Sequence, residues 1–104
     1  MLSKAQIEEI CREIKTGFDP EKIVLFGPHA FGKAGKNTDI DLLVVTPTDL
    51  PESKRHAAVR RLLKNFPAKF DLVVKTPEEY SRQKKVTSHI VYFADKYGKV
   101  IYEK

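Results

Sequence analysis

Residues Ile23–Val45 read IVLFGPHAFGKAGKNTDIDLLVV, and this stretch decides the fold of the 104-residue chain. Its first apolar run breaks at Gly27, two further glycines punctuate a loop, and a second apolar run follows a pair of aspartates. The pattern predicts a strand, a glycine-rich turn and a second strand. Because side chains alternate faces along a strand, Asp39 and Asp41 are predicted on one face and Ile40 on the other.

Two carboxylates that converge on one face need a positive partner between them. Like charges a few Å apart raise one another's pKa, so the pair is unfavourable without a cation. Magnesium commonly takes one or two carboxylates together with waters and the phosphates of a substrate. Gly27 and Gly32 allow the backbone to take a positive φ and to lie close to phosphate oxygens. The stretch therefore predicts a magnesium site beside a phosphate-binding turn.

These residues resemble the signature of the DNA polymerase beta-like nucleotidyltransferase superfamily, and specifically its minimal nucleotidyltransferase branch. The pattern there runs L-F-G-S-x-A-x-G, a variable loop, and S-D-I-D-L before an apolar strand. Here it reads LFGPHAFG at residues 25–32 and TDIDL at residues 38–42. The resemblance implies an α+β fold with a small mixed β-sheet flanked by helices, in a single domain over residues 1–104. It covers nearly the whole chain, since the branch often ends in a helix, a glycine and a V-x-Y-E strand.

The resemblance also implies a set of site residues. In the family, two aspartates hold magnesium against a nucleoside triphosphate, and a third carboxylate on a neighbouring strand completes the site. Asp39 and Asp41 match the pair, and Asp71, in the run FDLVV, stands where the third carboxylate would be. These three would be the catalytic and metal-binding residues, with two Mg²⁺ ions bound together with the triphosphate, which would be ATP. The residues expected to bind the nucleotide belong to the turn: Gly27, Pro28, Gly32 and Lys33.

Pro28 departs from the family pattern, which has a serine at this position. In the family that serine helps to hold the triphosphate through its hydroxyl and the adjacent backbone, whereas proline offers neither a hydroxyl nor an N–H. Proline is tolerated at the first position of a helix, so the short helix expected after Gly27 can still form. Pro28 is therefore compatible with the predicted fold, but it weakens the prediction of triphosphate binding.

Several candidate residues have two interpretations from sequence alone. Asp71 is either a site carboxylate or an edge-of-core aspartate paired with a lysine. His29 either contacts a phosphate or is an exposed loop histidine, and Lys33 and Lys36 either offset triphosphate charge or keep the loop soluble. His56 and the other helical histidine have no metal-ligand partner at i+4, so neither indicates zinc.

Composition excludes several function classes. No apolar run approaches the about 20 residues that span a bilayer, and no leader sequence is visible, so a cytoplasmic protein without membrane association is expected. Cys11 is the only cysteine and is predicted to be a buried apolar residue. Residues 1–50 carry six Lys/Arg against eight Asp/Glu, and residues 51–104 carry thirteen against six. The basic side chains fall mainly on polar helix faces, so nucleic-acid binding is not expected.

Local signals predict the remaining elements. A Ser3–Gln6 capping box opens the first helix, and Thr76 with Glu79 opens the third. The predicted helices cover residues 4–16, 52–66, 77–84 and 88–96, and the predicted strands cover residues 22–26, 40–46, 69–75 and 99–103. A strand, helix, strand order brings the chain back beside its starting sheet, so Asp71 is predicted to reach Asp39 and Asp41.

A chain of this length must find its acceptor elsewhere. A partner subunit, a neighbour in a homo-oligomer or a protein substrate would supply the second wall of the cleft. Minimal nucleotidyltransferases of this size resemble the antitoxin halves of two-component modules, whose partner is a helical HEPN-domain toxin that some members bind or modify by adding AMP to a tyrosine. The resemblance thus implies transfer of a nucleoside monophosphate to an acceptor hydroxyl on a protein. The alternative, favoured by Pro28, is a catalytically degenerate subunit that binds a partner.

Overall fold

The computed structural model describes residues 2–35 and 37–104, so Lys36, a predicted charge partner of the triphosphate, lies outside the described residues. The described part contains four strands and four helices, and a 3₁₀ turn at Pro28–Ala30 follows the first strand. In chain order the elements are α1 Lys4–Lys15, β1 Lys22–Phe26, β2 Ile40–Val45, α2 Glu52–Leu62, β3 Phe70–Lys75, α3 Pro77–Gln83, α4 Ile90–Tyr97 and β4 Lys99–Glu103.

Local capping sets the starts of three helices. Both predicted capping boxes are present: the Ser3 hydroxyl accepts from the Gln6 N–H, and the Thr76 hydroxyl accepts from the Glu79 N–H. Helix α4 begins two residues later than predicted because His89 caps it, its Nδ1 accepting from the N–H of the second helical residue at 3.1 Å. A histidine cap of this kind is not among the common N-cap residues, so the sequence pattern did not reveal it.

Helix α2 is shorter than predicted. The helix was expected to reach Phe66, but it ends at Leu62, and residues 63–66 continue as tight turns whose amides bond to carbonyls three positions earlier. Leu63 and Phe66 are nevertheless buried in the core with Val59. The apolar spacing therefore identified the buried side chains correctly and overestimated the length of the helix.

The sheet is mixed, as the resemblance implied, with the strand order β3-β2-β1-β4. Strand β1 pairs antiparallel with β2 and with β4, whereas β2 pairs parallel with β3 through the connection that contains α2. Strand β2 is central, and every residue of it except Asp41 is buried. This parallel pairing brings the beginnings of β2 and β3 to the same edge of the sheet.

Helices cover both faces of the sheet. Helices α1 and α2 pack on one face, where Ile40 and Leu72 join the larger core cluster. Helices α3 and α4 pack on the other, where Tyr80 and Val91 meet Leu43. Asp41 lies between Ile40 and Leu42 in β2 and so points to the face of α3 and α4. Within residues 2–35 and 37–104, no helix is long and apolar enough to cross a membrane.

A buried ion pair ties α2 to β3 and α3. The Arg55 guanidinium is almost fully buried and donates to the Leu50 carbonyl at 3.0 Å, to the Val74 carbonyl at 3.3 Å and to Glu79 Oε1 at 2.7 Å. Glu79 Oε1 also accepts from the Thr76 N–H at 2.9 Å. That backbone hydrogen bond and the Arg55 guanidinium hold the pKa of the Glu79 carboxyl below its ordinary value.

We expect Glu79→Ala to lower the free energy of unfolding by about 3 kcal/mol, because it leaves the buried Arg55 without its counter-charge and removes the cap of α3. Because the pKa of Glu79 is depressed in the folded state, its contribution is present above the ordinary pKa of 4.5 and is lost as the pH falls through the folded value. Urea unfolding at pH 7 and below pH 4 measures both effects.

The matched control is Glu78→Ala, since Glu78 is the exposed neighbour in the same first turn of α3. Removing it should cost less than about 1 kcal/mol, through the helix dipole alone. Equal losses of unfolding free energy for the two variants at pH 7 would contradict the conclusion that the Arg55–Glu79 pair stabilises the tertiary structure.

Candidate functional site

The three predicted aspartates lie at the edge of the sheet where β2 and β3 begin. Asp39 is exposed and immediately precedes β2, whereas Asp41 is the second residue of β2 and is partly buried. Asp71 is exposed and is the second residue of β3. In the parallel register Asp41 lies opposite Asp71, and the flanking pair Leu42 and Leu72 is buried on the other face. The structure therefore places Asp41 and Asp71 side by side.

The electrostatics of Asp41 reflect this crowding of carboxylates. Partial burial raises the pKa of its carboxyl, and the charge of Asp71 and a hydrogen bond between the two carboxyl groups raise it further. Asp39 acts in the same direction, and His29 opposes them. Removing water from a carboxylate and placing like charges beside it both disfavour ionisation. A cation at this edge of the sheet would relieve both effects.

Gly27 begins the turn that faces these carboxylates, and its position requires glycine. Its φ of +71° is a conformation that residues with a Cβ rarely adopt. A Cβ at this position would also lie 2.1 Å from Asp41 Oδ2. The backbone of the turn is therefore in direct contact with the carboxylate, and the empty space of the missing side chain is what admits it.

Gly32 also has a positive φ, but its surroundings differ. Its φ is +69°, as the sequence predicted for the turn, but a Cβ there would meet no atom within 4 Å. Gly32 is exposed, and Lys33 beside it is exposed as well. Space is thus open around the two residues that were predicted to contact the nucleotide.

The amides of the turn are partly occupied by the turn itself. Pro28 starts the 3₁₀ turn, as its position after Gly27 predicted, and its carbonyl accepts from the amides of Phe31 at 3.2 Å and Lys33 at 3.0 Å. The Ala30 amide donates to the Gly27 carbonyl at 3.0 Å. Among the described residues 28–33, the amides of His29 and Gly32 are the ones left to donate to a phosphate.

His29 has a role that sequence reasoning did not identify. Its Nε2–H donates to the Thr38 carbonyl at 2.9 Å, which joins the 3₁₀ turn to the residue before Asp39. The Thr38 hydroxyl in turn accepts from the Gly35 amide at 2.8 Å. His29 is thus a half-buried tie across the loop rather than an exposed histidine. The position of His29 in the middle of the turn indicated that it could have a structural role. The sequence did not indicate its acceptor, the Thr38 carbonyl nine residues later.

Lys69 is a basic residue that lines the same cavity as Asp39. A surface cavity of about 470 Å³ opens between the loops that lead into β2 and β3, and Asp39 and Lys69 both line it. Lys69 directly precedes β3. Its backbone is held beside the start of β2, because the Lys69 carbonyl accepts a hydrogen bond from the Ile40 amide at 2.9 Å. Sequence reasoning considered the loop lysines near Gly32 and overlooked Lys69, although it lies two residues before Asp71.

The donor set suits a divalent magnesium ion. Asp41 and Asp71 present carboxylate oxygens on adjacent strands, and the backbone of the turn at Gly27 lies against the Asp41 carboxylate. Among the described residues, no group of three His, Cys, Asp or Glu side chains is already gathered closely enough to hold an ion. The carboxylate oxygens of Asp41 and Asp71 nonetheless fit Mg²⁺ in their chemistry, since this ion prefers hard oxygen donors.

Comparisons with solved structures agree with the fold. A crystal structure of a toxin–antitoxin with AMP-PNP superposes with a TM-score of 0.65 at 20% identity, covering 94% of this chain and 73% of that one. The Shewanella oneidensis complex of a tri-AMPylated HEPN toxin with its MNT antitoxin gives a TM-score of 0.58 at 17% identity, covering 98% and 74%. A putative nucleotidyltransferase from Sulfolobus solfataricus gives 0.56 at 25% identity, covering 74% and 70%. No curated protein matches the sequence.

A family model gives the identity of the domain. The model, described as a nucleotidyltransferase domain, matches residues 4–96, which include α1, the glycine turn, all three aspartates and α4 up to its last turn. The match includes strands β1, β2 and β3 and helices from both faces of the sheet, and it ends before β4. The chain therefore belongs to the nucleotidyltransferase domain family.

Proposed function

We propose that the protein is an Mg²⁺-dependent nucleotidyltransferase that transfers AMP from ATP to an acceptor hydroxyl on a partner protein. The observation that carries the proposal is the position of Asp41, which lies beside Asp71 in the sheet and against the backbone of the turn at Gly27. This arrangement joins a carboxylate pair to a phosphate-accessible turn, which are the two parts that magnesium-assisted phosphoryl chemistry requires.

Each residue has a distinct part in this reaction. Bound magnesium would supply charge stabilisation at the reacting phosphate and would favour ionisation of the acceptor hydroxyl. Asp39, Asp41 and Asp71 would hold it, and Asp71 would also take the hydroxyl proton. The acceptor oxygen would then form a bond to the α-phosphorus while the bond from that phosphorus to the pyrophosphate oxygen breaks. The free amides of His29 and Gly32, with Lys33 and Lys69, would orient and neutralise the triphosphate.

The acceptor is proposed to be a protein because of the site's openness and its relatives. Asp39 and Asp71 are both exposed at the edge of the sheet, so an acceptor reaches them directly from solvent. The Shewanella oneidensis neighbour is described as a complex with a tri-AMPylated HEPN toxin, and another neighbour contains AMP-PNP. By analogy, the acceptor here is proposed to be a hydroxyl of a HEPN-type partner.

A second candidate function is partner binding without catalysis. Pro28 removes a hydroxyl and an N–H from the turn, and the amides of Ala30, Phe31 and Lys33 are already bonded within it. Few donors then remain for a triphosphate. If those that remain do not suffice, the protein would bind its partner through the intact fold alone.

We expect Mg-ATP to stabilise the wild-type protein, by about 2.7 kcal/mol at 100 times its dissociation constant. Asp41→Asn should abolish that stabilisation. Because burial and Asp71 raise the pKa of Asp41, its ionised form at neutral pH costs stability in the metal-free protein, so the variant should be as stable as wild type or slightly more so. Thermal melts with and without Mg-ATP measure both quantities.

Asp49→Asn serves as the charge-matched control, since Asp49 is an exposed residue of the loop after β2 and lies far along the chain from the turn. It should respond to Mg-ATP as wild type does. A wild-type protein whose melting is unchanged at millimolar Mg-ATP would contradict the enzymatic proposal and favour the partner-binding alternative.

Gly27→Ala should weaken Mg-ATP binding and lower stability by more than about 2 kcal/mol, because it combines an unfavourable positive φ with a collision against Asp41. Gly32→Ala separates the two effects, since it has the same φ but open space around its Cβ. It should cost only the roughly 1 kcal/mol of the backbone conformation. Denaturant unfolding and calorimetric titration of both variants make the comparison, and indistinguishable behaviour would argue against a turn–carboxylate contact.

Pro28→Ser should tighten Mg-ATP binding roughly tenfold or more, since it restores a hydroxyl and an N–H and a hydrogen bond to a charged group contributes about 1.5–3 kcal/mol. Isothermal titration of both proteins with Mg-ATP measures the change. Binding by wild type as tight as by the variant would show that the remaining amides suffice. Binding by the variant alone would identify the natural protein as a non-catalytic subunit.

A further inference from the structure

Helix α4 carries an apolar stripe on its outer side. The α4 stripe consists of Ile90, Phe93 and Tyr97, which are each about half exposed and lie three and four positions apart along one helix face. The rings of Phe93 and Tyr97 stack with centroids 6.1 Å apart and planes 28° apart. The adjacent face of the same helix is already buried in the core through Val91 and Ala94. The helix is therefore apolar on two sides, and one side alone is used by the fold.

The surroundings of the α4 stripe are positively charged. The segment from residue 81 to residue 100 contains five basic residues and one acidic residue, Asp95. The carboxylate of Asp95 accepts a hydrogen bond from the Tyr80 hydroxyl, which directs it toward the fold. The exposed basic residues of this segment are Arg82, Lys85, Lys96 and Lys99. A ligand of the stripe would thus meet an apolar ridge with the exposed Lys96 on the same helix and the exposed Lys99 just beyond its end.

The stripe ends at the edge of the sheet that carries the aspartates. Gly98, which ends α4, packs against β1, where a Cβ would lie 2.5 Å from Val24 Cγ1 and 3.0 Å from the Leu25 carbonyl. The next residue along β1, Phe26, pairs with Asp41. Helix α4 also covers the face of the sheet to which Asp41 points. A protein bound along the stripe would therefore lie on the same face of the sheet as Asp41.

We propose that the α4 stripe is the docking surface for the protein that receives the nucleotide, and that it takes an amphipathic helix with an apolar ridge bordered by carboxylates. The proposal rests on the proposed function in one respect, that transfer to a protein requires the protein to be held beside the site. The partner helix is proposed to carry carboxylates because they would complement the basic residues near the stripe. Its apolar ridge is proposed because the i, i+3, i+7 spacing of the stripe matches that of an apolar helix face.

Two other occupants fit the surface less well. A second copy of this chain that docked through the same stripe would bring the Lys96 and Lys99 side chains of both copies together, and like charges at an interface are unfavourable. Single-stranded nucleic acid needs free aromatic faces for its bases. Here Phe93 and Tyr97 stack on each other, and Lys96 Nζ lies 5.6 Å from the centre of the Tyr97 ring.

The test uses the whole chain and a synthetic helical peptide of about 20 residues, long enough to be helical, with leucine at i, i+3, i+4 and i+7 and glutamate at the flanking positions. Backbone amide NMR titration should show binding, with shifts concentrated on α4 and on Lys99. Phe93→Ser should weaken binding roughly 30-fold, as expected for an aromatic anchor at the centre of an interface. Lys96→Glu with Lys99→Glu should weaken it several-fold and reduce its dependence on salt.

Matched controls and competing outcomes make the result decisive. Lys54→Glu with Lys64→Glu reverses two exposed charges near the ends of α2, on the other face of the sheet, and should leave peptide binding unchanged. Equal binding of a peptide with lysine in place of glutamate, or shifts concentrated away from α4 and Lys99, would overturn the proposal. So would a dimer in light scattering that Phe93→Ser dissociates, or preferential binding of oligothymidine or of phosphatidylglycerol vesicles at the stripe.

The stripe and the site can fail independently. Mg-ATP binding is measured on the same variants, and Phe93→Ser should retain it because Phe93 is not part of the aspartate site. A wild-type protein that binds Mg-ATP but does not bind the peptide would overturn the docking surface alone. Peptide binding without Mg-ATP binding would overturn the proposed transferase activity and leave the docking surface in place.

Discussion

The contact between the Asp41 carboxylate and the bare Cα of Gly27 is the constraint on which the site depends. The paired strands β1 and β2 bring Phe26 opposite Asp41, so the residue after Phe26 inevitably faces the carboxylate. With glycine there, the chain turns at a positive φ and the carboxylate fits into the space of the missing side chain. Any other residue would have to push either the turn or the strand away, and the turn would lose its position beside Asp41.

The cost of crowding carboxylates is offset by the rest of the sheet. Asp41 sits in the most buried strand of the molecule, and its neighbours Ile40, Leu42, Leu43 and Val44 are almost completely removed from water. Burial of apolar surface on both faces of β2 fixes the strand in register, so repulsion between Asp41 and Asp71 cannot be relieved by a slip of one residue. The Arg55–Glu79 pair fastens α2 and α3 at the opposite end of the same strands. Stability and the charged site are thus located at different ends of one sheet.

The two helical layers serve different purposes. Helices α1 and α2 cover the face of Ile40 and Leu72, and their outward surfaces are polar and charged. Helix α4 covers the face of Asp41 and leaves three large apolar side chains in water. Contiguous apolar side chains on the surface of a small protein are characteristic of interaction sites. Their position on the face of the aspartates connects the fold to the proposed transfer of a nucleotide to a bound protein.

The sequence by itself determined the features that depend on near neighbours. Alternation along a strand put Asp39 and Asp41 on the face opposite Ile40, glycine identified the turns with positive φ, and the Ser3 and Thr76 boxes fixed two helix starts. Each of these follows from interactions within a few residues, which a sequence displays directly.

The tertiary structure decided the contacts between distant parts of the chain. It paired Asp41 with Asp71, joined His29 to Thr38, placed Lys69 beside Asp39 and left the outer side of α4 uncovered. In the sequence, Phe93 and Val91 are equally apolar members of one short helix. Which of them is buried depends on the elements that pack against the helix, because the hydrophobic effect rewards burial of apolar area without specifying the partner.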